Sequence, residues 1–480
     1  MIRKDIRKGK WLAEFMSIIL AASLMAGCGA AGPGGGAAKD MKDATIISSE
    51  ADESESSKEL YENSEDGGHA ILADGETAEY SDIKVEKTGE SEGDEADFYG
   101  ENSAIFATNG AYLTLSDIEV HTNGTHANAV FSYGEGTTVD ISNSEIETEG
   151  NCSGGLMTTG NGTMNATDLT IHTTGNSSAA IRSDRGGGKV TVTGGDYTTD
   201  GTGSPVIYST ADITVEDANL ESTASQGVVV EGQNSVTLKD VTLEADNNTK
   251  NSDKSDTYQA VMIYQSMSGD ADEGTASFTM EGGSLNNANG DIFFVNNTVA
   301  DINLKDADIN NNGDGVFLRA AAAGWGNEGS NGGNVNLKAD GQTIEGDLLT
   351  DDVSTLNLYL SNGSTLDGAI NPEETEGQVY VELKDGAVWT LTGDSHISSL
   401  TCDTDSIDLD GHKLYVNGTL YEEGTASEGE AVEAKVSEGG QGGPGGTPPD
   451  GNGGPGGQGG PGGESGSEGG PGGTPPDGNG

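Results

Sequence analysis

The chain of 480 residues has few basic, aromatic and hydrophobic side chains. It contains 22 Lys and Arg against 80 Asp and Glu, a formal net charge of -58, and only 32% of its residues are hydrophobic and 5% aromatic. A chain this acidic repels nucleic acid and anionic lipid headgroups, so both are excluded as partners. Composition alone predicts disorder, because too little apolar surface is available to offset the conformational entropy that folding removes.

Helical patterns are also missing. Gly, Asn, Thr, Ser and Asp dominate the sequence, with 77 glycines, and these residues are poor helix formers. No stretch keeps apolar residues at 3.6-residue spacing for three turns. A large helical domain is therefore excluded.

The amino terminus has the features of a processing signal. A basic start at residues 3–10 is followed by an apolar segment from Phe15 to Ala26, which at about 12 residues is too short to span a bilayer. The sequence LMAGC at residues 24–28 resembles a bacterial lipobox. That resemblance implies removal of residues 1–27, lipidation of Cys28, and anchoring by acyl chains at the bacterial cell surface, outside the cytoplasm. The alternative is an ordinary secretory signal that contains a cysteine.

Both ends of the mature chain are compositionally simple. Residues 28–68 are mostly Gly, Ala, Ser, Glu and Asp, and their like charges predict an extended, disordered tether. Residues 437–480 are rich in Gly and Pro and contain GGPGGTPPDGNG twice. They lack a strict collagen triplet and are predicted to form a flexible tail.

Residues 69–436 contain an internal repeat. Segments such as LTLSDIEV, ITVEDANL and VTLKDVTL place alternating apolar residues before a polar position that recurs every 23 to 26 residues over most of this region. A second apolar cluster, such as AIFA, AVFS or GVVV, lies in the other half of each period. Short strands repeated at this period indicate a solenoid. The recurring polar positions, here called the bend residues, are Asp82, Asp117, Asn143, Asp168, Gly194, Asp217, Asp240, Gly282, Asp306, Asn362 and Asp385, with one further turn through Ala339.

The bend residues indicate which solenoid this is. Asp, Asn and Gly tolerate the left-handed backbone that a sharp bend between two strands requires. Together with the alternation, they predict an all-β fold, a right-handed single-stranded parallel β-helix of about 12 to 14 coils. The pattern resembles the pectin-lyase-like superfamily, and in particular its non-catalytic bacterial surface lipoproteins and adhesins. A leucine-rich repeat has a similar period, but its LxxLxL pattern is missing.

Two insertions break the repeat, at residues 246–258 and 320–333. Loops that protrude from a regular solenoid often carry binding residues. The period also separates Cys152 from Cys402 by about ten coils, or roughly 45 Å. A disulfide needs Cα atoms within about 7 Å, so both cysteines are predicted to be unbridged.

Three arginines follow the lipobox, and two of them are candidate ligand-binding residues. Arg182 and Arg319 follow the apolar cluster at comparable points of their coils, and Tyr208 lies at a similar point. This placement predicts a strip of guanidinium and aromatic groups that grips a glycan. The alternative is that the arginines pair with neighbouring acids such as Asp184.

Trp325, in the second insertion, is a further candidate. Sugars stack on aromatic faces, and an apolar loop is poorly suited to be a solvated linker. The alternative is that Trp325 packs back onto its coil as a lid.

Calcium is a candidate cofactor. A column of bend carboxylates repels itself, and a divalent cation with oxygen ligands would relieve that repulsion. A further acidic cluster comprises Asp403, Asp405, Asp408 and Asp410. Neither arrangement matches an EF-hand or a nonapeptide calcium motif, and plain solvated charge is the alternative.

The resemblance carries an expectation about activity. Enzymes of the pectin-lyase-like group use carboxylates, often with calcium, and an essential Arg or Lys, but their RxPxxR and polygalacturonase motifs are missing here. We therefore expect a monomeric, non-catalytic protein that binds a glycan or adheres to a host or neighbouring cell. One alternative is a calcium-assisted polysaccharide lyase or glycoside hydrolase, and the other is a structural spacer without a ligand.

Overall fold

The computed structural model describes residues 58–313, 315–374 and 377–435. The predicted signal, Cys28, most of the tether and the Gly/Pro-rich tail lie outside the described residues. In the part that is described, no helix combines the length and the apolar character needed to cross a membrane.

The described residues form short strands and one short helix. Up to the first predicted insertion the elements are β1 (Glu59–Asn63), β2 (Ile71–Asp74), β3 (Thr77–Ser81), β4 (Ile83–Lys87), α1 (Asp94–Phe98), β5 (Ile105–Thr108), β6 (Tyr112–Ser116), β7 (Glu119–Thr122), β8 (Val130–Tyr133), β9 (Thr138–Ser142), β10 (Glu145–Thr148), β11 (Leu156–Thr159), β12 (Gly162–Thr173), β13 (Ile181–Ser183), β14 (Gly188–Thr199), β15 (Ile207–Ser209), β16 (Asp212–Glu216), β17 (Asn219–Ser222), β18 (Val228–Glu231), β19 (Ser235–Lys239) and β20 (Thr242–Ala245).

After that insertion the elements are strands alone. They are β21 (Gln259–Tyr264), β22 (Thr275–Glu281), β23 (Ser284–Asn287), β24 (Asp291–Asn296), β25 (Thr298–Lys305), β26 (Asp308–Asn311), β27 (Val316–Ala320), β28 (Gly333–Asp340), β29 (Thr343–Glu345), β30 (Asp347–Thr350), β31 (Thr355–Ser361), β32 (Thr365–Asp367), β33 (Gln378–Leu383), β34 (Val388–Thr390), β35 (Ser395–Ile397), β36 (Ser399–Thr401), β37 (Ile407–Asp408), β38 (Leu414–Val416) and β39 (Thr419–Leu420).

The strands wind into a parallel β-helix, which confirms the predicted fold class. Strands before and after the bend form a 21-stranded sheet, here called sheet 1, and the apolar clusters form an 11-stranded sheet, here called sheet 2. Each strand before the bend pairs in parallel with the equivalent strand of the next coil. The number of coils lies within the predicted range of 12 to 14. Thirteen such strands follow one another, namely β3, β6, β9, β12, β14, β16, β19, β22, β25, β28, β31, β33 and β36.

The bend residues adopt the predicted backbone. All eleven of the polar positions have φ between 49° and 71°, in the left-handed region that Asp, Asn and Gly tolerate. The turn predicted through Ala339 is wrong, because Ala339 is a buried residue of β28 and the bend lies at Gly341, with φ 62°. Alanine disfavours left-handed backbone, so the strand continues for one more residue, to Asp340, and the bend falls at the glycine that follows.

A second corner of each coil accounts for a further part of the high glycine content. A Cβ atom on Gly175 would overlap the carbonyl oxygen of Gly150 in the preceding coil. The same overlap would occur at Gly124, Gly150 and Gly201. The backbones of successive coils therefore approach too closely here for any side chain.

Within the described ranges, four insertions interrupt the coils, and two of them are the predicted ones. The predicted insertions occupy residues 246–258 and 321–332, and the others occupy residues 88–104, which include α1, and residues 265–274. The spacing of the bend residues also indicates the two insertions that were not predicted. The bend residues Asp82 and Asp117 are 35 positions apart, which exceeds the usual spacing of 23 to 26. Asp240 and Gly282 are 42 apart, which exceeds that spacing even after the 13 residues of insertion 246–258 are subtracted.

The β-helix begins inside the segment predicted to be tether. Strand β1 pairs in parallel with β4, from Glu59 with Ile83 to Asn63 with Lys87. The ring of Tyr61 packs edge-on against Tyr80, with ring centroids 5.6 Å apart. The described β-helix therefore includes residues 59–63, which the sequence analysis assigned to the tether.

The last described residues run back over the outside of sheet 1. The side chain of Asn357 accepts a hydrogen bond from the Val432 backbone N–H (2.9 Å) and donates one to the Val432 carbonyl (3.1 Å). The backbone N–H of Lys435 donates to the Asn334 side chain at 2.7 Å. The C-terminal end of the predicted β-helix region is thus an extended segment held by asparagine side chains.

Candidate binding site on sheet 2

One outward-facing side chain from each coil of sheet 2 forms a continuous ladder. Arg182 and Tyr208 are adjacent rungs, and Arg319 lies four rungs beyond Tyr208, so three of the predicted ligand-binding residues share one face. In order, the rungs are Leu72, Phe106, Phe131, Met157, Arg182, Tyr208, Val229, Met262, Phe294, Arg319 and Leu349.

Arg182 is bound internally rather than presented to solvent. Its Nη2 and Nε donate to Oδ2 of Asp184 at 2.8 and 3.2 Å, and only 14% of its side chain is exposed. Burial raises the pKa of Asp184 to about 6, although the guanidinium opposes that shift. Burial opposes the charge of Arg182, but the carboxylates of Asp184 and Asp97 outweigh it and raise its pKa. Arg182 therefore pairs with Asp184, which was the alternative to its predicted role in binding a glycan.

Arg319 is also held by a buried acid. Its Nε and Nη2 donate to the two oxygens of Asp291 at 2.6 and 3.2 Å, and the Asp291 side chain is fully buried. The guanidinium borders an open cavity of about 520 Å³ that is also lined by Asp256, Tyr258 and Asn289. Arg319 is therefore fixed in orientation, with one side at an open cavity.

Tyr208 belongs to a buried hydrogen-bond network that the sequence did not predict. The hydroxyls of Tyr208 and Tyr264 donate to the same oxygen of Glu231, at 2.5 and 3.1 Å. Glu231 also accepts from the Ser266 backbone N–H and hydroxyl. Burial and the nearby Glu231 charge raise the pKa of both phenols well above the ordinary value. Both tyrosines therefore remain protonated donors.

Trp325 joins the two predicted insertions. Its ring meets Tyr264 edge-on, with centroids 5.2 Å apart, and the Lys254 ammonium lies 5.7 Å from its centroid. The Gly324 N–H donates to the Lys254 carbonyl at 2.7 Å. Asn331 holds the loop by donating to the carbonyls of Ala323 and Trp325 at 2.7 and 2.8 Å. Trp325 thus packs over sheet 2 as a lid, but remains only partly buried.

The lid closes one side of a pocket of about 120 Å³, which is room for several water molecules. Its aromatic walls are Tyr208, Tyr258, Tyr264 and Trp325. Its polar groups are amides and hydroxyls, including those of Gln226, Asn247, Asn251, Gln259, Ser255 and Thr257. None of the described residues that line it is Asp or Glu. In a chain with 80 acidic residues, this pocket is uncharged apart from Lys250, which pairs with Asp256 at 2.6 Å.

The four aspartates of the predicted calcium cluster lie apart from this site. Asp403, Asp405, Asp408 and Asp410 are all exposed. Within the described ranges, they do not belong to any group of three or more metal-binding side chains whose ligand atoms lie within 4.8 Å of one another. Neither Cys152 nor Cys402 is in a disulfide in the described part of the chain, as predicted.

No protein-family model, no curated protein and no solved structure matches this chain. Its function therefore has to be inferred from the chemistry of the sheet 2 face itself.

Proposed function

We propose that this protein is a non-catalytic carbohydrate-binding member of the pectin-lyase-like superfamily. The observation that carries the proposal is the pocket between insertions 246–258 and 321–332. It combines the rings of Tyr208, Tyr264 and Trp325 with a set of amides and hydroxyls. Sugars need both an aromatic surface for their C–H faces and neutral hydrogen-bonding groups for their hydroxyls.

The missing carboxylates indicate the kind of sugar. A lyase or hydrolase of acidic polysaccharides needs carboxylates or a bound cation beside the substrate, and a glycosidase needs two carboxyl groups flanking the scissile bond. The described lining has no acid, and Glu231 behind it already accepts hydrogen bonds from two tyrosines and a serine. The ligand is therefore a neutral glycan, and binding needs no calcium.

The resemblance of residues 24–28 to a lipobox supports a cell-surface location for this binding activity. Acyl chains on Cys28 would anchor the chain in the membrane, and the acidic segment after it would extend the β-helix outward. Adhesion of a bacterium to glycans of a host or neighbouring cell is the role that fits. Replacing Cys28 with Ser is expected to release the protein into the medium, and retention of that variant in the membrane fraction would contradict the anchor.

A glycan array tests the binding proposal. The purified protein is expected to retain neutral glycans equally with and without chelator. Trp325→Ala is expected to weaken binding by about tenfold or more, which corresponds to about 1.4 kcal/mol of lost aromatic contact. Tyr112→Ala is the matched control, because Tyr112 is an aromatic side chain 45% exposed on sheet 1.

Three results would contradict the proposal. If no glycan is retained, the spacer interpretation takes its place. If chelator abolishes binding and unsaturated uronates accumulate with acidic polysaccharides, the calcium-assisted lyase takes its place. If Trp325→Ala and Tyr112→Ala bind equally well, the pocket is not the binding site.

A further inference from the structure

Three side chains with metal-binding chemistry converge beneath α1, away from the pocket. They are Asp97 of α1 together with His126 and Cys152, and their ligand atoms all lie within 4.8 Å of one another. Oδ1 of Asp97 is 2.8 Å from Nδ1 of His126, whose side chain is only 5% exposed. A carboxylate, an imidazole and a thiol from three separate parts of the chain therefore share one small space.

The coil geometry brings His126 and Cys152 together. They occupy the same corner of successive coils, where the His126 N–H donates to the Asn151 carbonyl and the Cys152 N–H donates to the Asn176 carbonyl. Both have φ of 55°, the left-handed conformation that this corner of the coils requires, and histidine is among the residues that adopt it more often. Ser177 and Gly203 follow at this corner with φ of 55° and 66°. Among the described residues of this corner, an imidazole and a thiol therefore occur in two successive coils.

Helix α1 is held in place over this corner by several contacts. The Thr159 hydroxyl donates to the Phe98 carbonyl at 2.7 Å, and the Arg185 guanidinium lies 3.8 Å from the Phe98 ring centroid. Arg185 also pairs with Asp94 at 3.2 Å. Asp97 is thus positioned by its own insertion rather than by chance contact with a mobile loop.

The close contact between Asp97 and His126 is poorly aligned for a hydrogen bond. Although the two atoms are 2.8 Å apart, the buried Nδ1 has no well-aligned hydrogen-bond acceptor among the described residues. Two groups that share a proton point along a common N–H···O line, whereas two ligands of one ion point at a third position. The poor alignment at Nδ1 favours the second arrangement.

Acidic groups near this position would offset the charge of a divalent ion. The Arg182 cation interacts with Asp97, Cys152 and Asp184. A divalent cation plus Arg182 carries three positive charges, which a Cys152 thiolate and the carboxylates of Asp97 and Asp184 would neutralise. Binding would release the thiol proton to solvent, as thiolate coordination requires.

We propose that Asp97, His126 and Cys152 form a binding site for zinc or a similar divalent transition-metal ion. Thiolate and imidazole ligands favour zinc over the hard cations calcium and magnesium. Three protein ligands leave one tetrahedral position for water. The ion would tie the insertion 88–104 to the first coils of the β-helix, independently of any glycan bound at the pocket.

Metal content measured on the full chain tests this site. After dialysis against zinc and then against metal-free buffer, the protein is expected to retain one equivalent of zinc, and no calcium after the same treatment. Cys152→Ser is expected to lose the zinc, and Cys402→Ser, the matched cysteine substitution, is expected to keep it. Cobalt(II) in place of zinc is expected to give a thiolate charge-transfer band that Cys152→Ser lacks.

Two further measurements guard against misfolding. Circular dichroism of each variant reports the strand content, and Asp97→Asn removes a ligand from an insertion rather than from a coil. We expect Asp97→Asn to weaken zinc binding and zinc to raise the melting temperature of the parent protein but not of Cys152→Ser. The site does not exist if the folded parent retains no zinc, if both cysteine variants bind zinc equally, or if the cobalt complex has no thiolate band.

Discussion

Sheet 1 and sheet 2 are built by the same coils, but the insertions cover sheet 2, whereas the described cover of sheet 1 is limited to the C-terminal segment that lies across its last strands. Strands of sheet 1 alternate between buried and accessible residues, as in β9 and β19, whereas β11 and β18 of sheet 2 are buried at every position. The outward residues of sheet 1 include a ladder of threonines from Thr191 to Thr279. The outward residues Phe106, Phe131 and Met157 of sheet 2 are at most 1% exposed.

This difference between the outer faces of the two sheets shows how a very acidic chain can fold and still bury apolar side chains outside its core. A solenoid needs only every second residue of a strand for its narrow core. Sheet 1 can therefore carry charged side chains on its outer face without losing apolar residues from the core. Sheet 2 has apolar and aromatic residues on both faces, and the four insertions cover it. The proposed pocket lies on the covered sheet, and the proposed metal site lies beneath α1 at the corner that precedes that sheet.

The largest expected effect comes from comparing one ion pair on each sheet. Arg182→Met on sheet 2 leaves Asp184 buried without its cation, which is expected to cost about 3 to 5 kcal/mol of unfolding free energy at pH 8. The pKa of Asp184 is already raised to about 6 by burial, so at pH 5 the carboxyl is neutral and the loss is expected to shrink. Urea titrations at both pH values measure this.

The double variant Arg182→Met/Asp184→Asn is the control for this prediction. It is expected to recover much of the lost stability at pH 8, because no uncompensated charge remains. An equal loss at pH 8 and pH 5 would show that packing, rather than the buried charge, is responsible.

A second substitution compares outward-facing side chains on the two sheets. Phe131→Ala on sheet 2 removes a fully buried ring that packs against Phe106 at 5.8 Å between centroids, and about 3 to 4 kcal/mol of stability should be lost. Thr214→Ala on sheet 1 is expected to change stability by less than about 0.5 kcal/mol. Chemical denaturation of both variants measures the difference, and similar losses would mean that sheet 2 is not covered in solution.

Acid is expected to destabilise the covered sheet through His69. Its imidazole is 3% exposed and contacts the Phe106 ring, and burial lowers its pKa from 6.5 to about 4. Between those pH values the unfolded chain binds a proton that the folded chain does not, so stability falls as pH falls through this window, by about 3 kcal/mol in all. Melting temperatures of the parent and His69→Gln between pH 7 and pH 4 test this, and parallel curves would refute it.

The smallest expected effect is on the exposed ion pair of sheet 1. Lys239 and Glu216 are 2.7 Å apart with 44% and 39% of their side chains exposed. Because water screens such a pair, Lys239→Met is expected to leave the urea midpoint unchanged within error. A clear loss of stability in this variant would remove the contrast with Arg182→Met.

Local sequence patterns predicted the repeating coil well, but they predicted the insertions and the side-chain partners poorly. The bend residues were predictable because left-handed backbone selects Asp, Asn and Gly wherever it recurs. Insertion 246–258 was predictable because it breaks the period. Helix α1 was not, since it has only five residues and no helical periodicity. The partner of Arg182 was recognised only as an alternative, because ion pairing and ligand binding use the same residue types.

The sequence by itself determined the coil, because period, alternation and bend chemistry are properties of neighbouring residues along the chain. Only the tertiary structure decided which of the outward side chains became buried, since that depends on where the insertions fold back. Asp97 and Cys152 are 55 positions apart, and Tyr208 and Trp325 are 117 apart. Contacts over such separations arise from stacking of coils about 4.8 Å apart and from loops lying across them, which no local pattern records.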